Sequence, residues 1–104
     1  MRPFLTLLAT APLAGGCTWV PLDPGAQAVA VRDADDAARS CERLGKTHTR
    51  TSDGLGPIPR RASAIEEELV SLARNEAVRM GGNAVAPLST IEEGEQNWAI
   101  YRCP

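Results

Sequence analysis

Three cysteines, one histidine and a pair of adjacent arginines are the side chains of this 104-residue sequence whose types and spacing could do chemistry. Cys17 follows a short apolar leader that ends Leu13-Ala14-Gly15-Gly16, with Met1-Arg2 as a minimal positive start and Phe4 to Leu13 as the apolar stretch. Small residues before a cysteine let a signal peptidase admit the backbone, and bacterial lipoproteins begin this way. Residues 1–16 therefore read as a lipoprotein signal peptide and Cys17 as the lipid attachment site. Ala14 stands where the usual box carries a bulky residue, and the rival reading is ordinary secretory cleavage that leaves Cys17 a free thiol. Cysteine parity favours lipidation. An odd thiol in an exported chain needs a chemical explanation, and a thioether on Cys17 leaves Cys41 and Cys103 as an even pair.

That pair has two readings. Joined in an oxidising compartment, Cys41 and Cys103 would close a long loop and contribute about 4 kcal/mol by the chain-entropy estimate. Reduced, they would be metal ligands or redox thiols, but one histidine and no Cys-x-x-Cys give neither the spacing nor the ligand number of a zinc site. Catalysis has little to build on. His48 is the single imidazole, and on a strand its neighbours Thr47 and Thr49 point away from it, so no nucleophile stands beside a base. Glu92 and Glu95 could share acid–base work only if buried, and they flank a glycine turn. The expectation is no enzyme and no cofactor beyond the covalent lipid on Cys17. Arg60 and Arg61 end a loop, Thr51 to Arg61, that carries no core pattern. Paired guanidiniums on a loop can fork onto carboxylates or phosphates, which makes them a possible partner contact; the competing reading is that they neutralise Glu66 to Glu68.

The elements that position these groups follow from pattern. Removing residues 1–16 from the 104 leaves 88, enough for one small domain. Residues 17–25, with Pro21 and Pro24, read as a lipidated tether, and 26–104 as a single domain. Arg2 leaves with the leader, so 10 of the 11 Lys and Arg remain against 13 Asp and Glu, a balance that excludes nucleic acid as a partner. Ser63 and Glu66 form a capping-box pattern after Pro57 and Pro59, and a helix is predicted from Ala64 to Met80. Ile65, Leu69, Leu72, Ala73, Ala77 and Met80 recur along it as one apolar stripe, and Gly81-Gly82 end it. Strands are predicted over 26–32, 40–49, 83–90 and 97–103, with Glu92-Glu93-Gly94-Glu95 turning the last hairpin. The fold class is α+β: a small four-stranded sheet with one helix packed on it, in ββαββ order, with one disulfide. Asn75 and Asn83 are read as polar groups that satisfy backbone near the helix end.

Three ordered motifs carry a family resemblance: Cys41-Glu42-Arg43-Leu44-Gly45, the helix running into Met80-Gly81-Gly82-Asn83, and the ending Tyr101-Arg102-Cys103-Pro104. Together they resemble a bacterial lipoprotein family known as domain of unknown function 4156, over most of residues 40 to 104. Ala14 and the Pro87 that follows Val85 depart from its pattern. The helix into Gly-Asn-Ala-Val is more distantly similar to the sensor lipoprotein of the Rcs envelope-stress phosphorelay and to YbjQ-like domains, which implies a fold and, at most, a class of role. With Thr18 rather than aspartate after the lipidated position, the expected location is the bacterial outer membrane, facing the periplasm. The expected role is a binding, adaptor or stress-sensing domain. Its partners would be the membrane, through the anchor, and an unknown envelope protein or anionic glycan. The alternative is a periplasmic metal-binding or redox protein that uses Cys41 and Cys103.

Overall fold

The computed structural model of the chain describes residues 20–55 and 58–104. The leader, Cys17 and Trp19 lie outside them. A 3-10 turn at Ala26–Ala28 is followed by β1 (Ala30–Val31), α1 (Ala34–Ser40), β2 (Glu42–Arg50), β3 (Gly54–Leu55), β4 (Ile58–Pro59), α2 (Ala62–Met80), β5 (Ala84–Pro87) and β6 (Glu95–Arg102). The α+β class, the four-stranded sheet and the disulfide are as expected. The ββαββ order is not: a helix separates the first two strands, and the small hairpin of β3 and β4 lies between β2 and α2.

The extra helix, α1, grows from the acidic knot Asp33, Asp35 and Asp36. The Asp33 carboxylate accepts from the backbone N–H of Asp35 at 3.1 Å and of Asp36 at 3.2 Å, while Arg39 sits in the last turn, so charge matches the helix dipole at both ends. With only seven residues, α1 is too short to show a helical period. The first strand, predicted over 26–32, keeps two residues because its start forms the 3-10 turn Ala26–Ala28.

α2 starts two residues earlier than predicted. Its N-cap is Arg61, which makes no side-chain cap bond, and Ser63 lies inside the first turn rather than at the cap. Arg60 is bound to Glu68, two turns along, and this holds the incoming backbone against the helix without a capping box. Ile65, Leu69, Ala73 and Ala77 face the core as expected; Leu72 does not join it and is only half-buried. At the far end Gly81 takes the left-handed conformation, φ 82°, and its N–H reaches the carbonyls of Ala77 and Val78.

The strand order is β1-β5-β6-β2, with β1 parallel to β5 and the other pairs antiparallel. β5 stops at Pro87, short of the predicted 83–90: the Leu88 N–H still donates to the Asn97 carbonyl at 2.8 Å, but the Asn97 N–H turns to Ser89 Oγ at 3.0 Å instead of a strand carbonyl. The β5–β6 connection closes on Glu93 and Gly94, both at positive φ (52° and 76°), as the twist of a tight hairpin requires. One sheet face packs on α2: Val85, Trp98 and Ile100 meet Ile65, Leu69, Ala73 and Ala77, with Val29 at the edge. Each buried Leu or Ile there contributes about 1.5–3 kcal/mol. The other face carries Ala84, Ala86, Ala99 and Tyr101, packed with Ala37 of α1.

Candidate functional site

β2 is an edge strand, and its register decides which of its side chains face outward. Glu42 pairs with Arg102 and Arg43 with Tyr101, but the next partner of β6, Ile100, is opposite Gly45, so Leu44 is an inserted residue. This bulge reverses the alternation of the strand. Leu44 packs toward the α2 side, and Thr47 and Thr49 follow it inward, opposite Trp98 and Gln96. Arg43, Lys46, His48 and Arg50 therefore share the opposite face, all four exposed. A regular strand would have set Arg43 against the other three.

Along that face His48 is fixed at both ring nitrogens. Nδ1 lies 2.7 Å from Asn97 Oδ1 and Nε2 2.8 Å from Glu95 Oε1, which also lies beside Arg50 at 3.4 Å through its second oxygen. Two acceptors favour an imidazolium that donates from both nitrogens, and the pKa is raised above the usual 6.5, first by Asn97 and then by Glu95. Arg43 and Lys46 form no ion pair among the described residues. Thr49, on the inner side, accepts from the Trp98 indole N–H at 3.0 Å and donates to the Gln96 carbonyl at 3.1 Å. His48 and the flanking threonines thus diverge, as strand alternation predicts.

The two arginines of the 51–61 loop part company. Arg60 is half-buried, with 8 % of its side chain exposed, and forks onto Glu68, 1 % exposed. Its Nη1 donates to Glu68 Oε1 at 3.0 Å and to the Ser52 carbonyl at 2.9 Å, its Nη2 bonds Glu68 Oε2, and Thr51 Oγ1 donates to the same carboxylate at 2.6 Å. The bond to Glu68 raises the Arg60 pKa. Among the described residues, Arg60 and Thr51 thus tie both ends of a loop without periodicity to Glu68 of α2. Arg61 remains exposed.

The three motifs of the sequence meet at one corner. Cys41 and Cys103 are joined, tying the residue before β2 to the residue after β6, beside the Glu42–Arg102 pair. A Cβ on Gly82 would stand 2.8 Å from the Tyr101 carbonyl oxygen and 2.9 Å from Ile100, and one on Gly45 would stand 2.8 Å from the Met80 methyl. Asn83 closes the corner: its amide donates to the Cys103 carbonyl at 2.9 Å and accepts from the Cys103 N–H at 2.7 Å. Asn75 does the same for the other end of the chain. It accepts from Asp23 N–H at 2.7 Å and donates to the Pro21 carbonyl at 3.0 Å, while Arg79 reaches the Asp23 carboxylate at 2.9 Å. Pro21–Asp23, within the stretch read as tether, are thereby bound to α2. Aspartates, glutamates and His48 come together in no group of three placed for a metal ion among the described residues.

The fold and this corner define a small, disulfide-closed sheet-and-helix domain whose motif residues hold its ends together. Residues 20–103 match the family described as Domain of unknown function (DUF4156), and the chain belongs to that family. No curated protein and no solved structure matches it.

Proposed function

We propose that this chain is a non-catalytic binding module of the bacterial envelope, lipid-anchored at Cys17 to the outer membrane and facing the periplasm, which presents the cationic face of β2 to an anionic glycan. The observation that carries the reading is the order of layers. Pro21–Asp23 lie on α2, α2 lies on one face of the sheet, and Arg43, Lys46, His48 and Arg50 occupy the other. An anchor upstream of Val20 would hold the α2 side toward the bilayer and turn the cations away from it. Residues two apart on a strand repeat every ~7 Å, and a single file of cations at that spacing suits a linear polyanion better than a compact acidic protein. Of the two arginines read as a possible partner contact, Arg60 is engaged with Glu68, and Arg61 is the N-cap residue of α2, the layer opposite these cations. A stress-sensing role, suggested by the similarity to the Rcs sensor lipoprotein, would use the same outward face. The metal or redox alternative needs free thiols at Cys41 and Cys103, which are bonded to each other here.

Two measurements test the proposal. Protein made in a native bacterial host should label with fatty acid, and Cys17→Ala should abolish labelling. Purified peptidoglycan sacculi should co-sediment with the protein at low salt and release it at high salt, with Arg43→Ser/Lys46→Ser reducing binding. Equal retention of the double variant would overturn the assignment of this face.

A further inference from the structure

The flank of α2 that faces the N-terminal segment carries a cleft of about 810 Å³. Glu66 and the adjacent Glu67 line one wall with Val70 and Arg74, which follow them at spacings of three, four, seven and eight residues, so one flank of the helix carries all four. Val20 and Leu22 form part of the opposite wall, held in place by the bonds from Asn75 to Pro21 and Asp23. Arg74 is the anomaly. Its Nε is shut off from solvent and has no hydrogen-bond acceptor, and among the described residues its guanidinium forms no ion pair. A buried donor with its bond unmade is destabilising, and such groups in native proteins call for an explanation. Glu66 and Glu67 are exposed and also form no ion pair among the described residues. The cleft thus has a cationic end, an anionic end and an apolar wall.

We infer that this cleft binds the headgroup of an aminophospholipid, with the phosphodiester on Arg74, the ammonium on Glu66 and Glu67, and the glycerol and first acyl carbons against Val20, Leu22 and Val70. A zwitterion satisfies both ends at once, whereas a simple anion meets two carboxylates and a simple cation meets a guanidinium. Nε has no exposed surface as the side chain stands, so the guanidinium must turn toward the cleft to take an oxygen acceptor, and charge-assisted bonds of this kind are the strong ones. The position fits the source. Val20 is three residues from Cys17, at most ~11 Å of extended chain, so a bilayer holding a lipid on Cys17 would lie within reach of the cleft. Only this choice of source rests on the anchoring reading; the charge pattern of the cleft stands without it.

The test uses the full chain, isolated from membranes in an uncharged maltoside detergent and labelled with ¹⁵N-arginine. It is titrated with short-chain phosphatidylethanolamine, phosphatidylcholine or phosphatidylglycerol, and separately with O-phosphoethanolamine. The Arg74 Nε–Hε signal should shift saturably with phosphatidylethanolamine. The other two lipids should bind about tenfold more weakly, the consequence of losing one charge-assisted hydrogen bond. Arg74→Met should abolish saturable binding with the backbone amide spectrum retained. The exposed pair Glu66→Gln/Glu67→Gln, which leaves the core untouched, should erase the preference for ethanolamine over choline. Equal affinity for all three lipids, or unchanged affinity in either variant, overturns the site. O-phosphoethanolamine binding as tightly as the lipid overturns the lipid assignment. The mass of the same preparation reports separately on Cys17: an unlipidated cysteine would defeat the anchoring reading and leave the headgroup titration to be judged on its own result.

Discussion

Replacing Cys41 and Cys103 together by alanine should remove about 4 kcal/mol of stability. The bridge spans 62 residues, and in the chain-entropy estimate closing a loop of that size lowers the entropy of the unfolded chain by this amount at 25 °C. The native side of the balance changes little, because Glu42 and Arg102 are paired beside the bridge and β2 stays in register with β6 along its length. A domain of this size is expected to have roughly 4–12 kcal/mol in all, at ~0.05–0.15 kcal/mol per residue. The bridge is therefore comparable with the whole margin. At about 4–8 °C per kcal/mol the melting temperature should fall by roughly 16–32 °C. Urea titration followed by far-ultraviolet circular dichroism compares the oxidised protein with the double variant, which avoids the lone thiol of a single substitution. The slope with urea should rise as the midpoint falls, since the unbridged chain exposes more surface when unfolded. A loss below about 1 kcal/mol would refute the reasoning and show that β2 and β6 hold their ends without covalent help.

Gly82→Ala should destabilise the domain by about 1–3 kcal/mol, because the new methyl meets the Tyr101 carbonyl and Ile100 at a corner that cannot open without parting β5 from β6; chemical denaturation reads it. Glu68→Ala removes the buried carboxylate onto which Arg60 forks and should lower stability, with faster proteolytic cutting within residues 51–61 as the local readout. The raised pKa of His48 makes stability depend on pH in a stated direction: the contribution is full below the ordinary value of 6.5 and is lost as pH climbs through the folded value. His48→Gln should flatten that slope, and an imidazole that titrates by NMR at or below 6.5 would contradict the bonded geometry.

Where the sequence repeats a period, the fold was legible. α2 shows i, i+4 spacing at Ile65, Leu69, Ala73 and Ala77 and a glycine stop, and its end is where the pattern puts it. The hairpin turn at Glu92–Glu95 was marked by glycine, and the two cysteines by parity. α1 was missed because seven residues hold too little period, although Asp33 followed by Asp35 and Asp36 is a helix-start signal in its own right. The cationic face was hidden for a different reason. Residues 43, 46, 48 and 50 do not alternate, and only the insertion of Leu44, a matter of pairing with β6, brings them to one side. Arg60 shows a third limit: adjacent arginines look equivalent in a sequence, yet Glu68 lies two turns into α2 and only the folded loop selects one of them.

The bonds that Asn75 makes to Pro21 and Asp23 also set a load path. Any pull on the chain upstream of Val20 reaches α2 through these two hydrogen bonds and the Arg79–Asp23 pair before it can reach β1, a strand of two residues whose ladder is the shortest in the main sheet. The force is delivered to a nineteen-residue helix seated on the core instead of peeling the sheet from its edge. The domain would meet such a force as one clamped body, with Asn75 and Arg79 as the clamp.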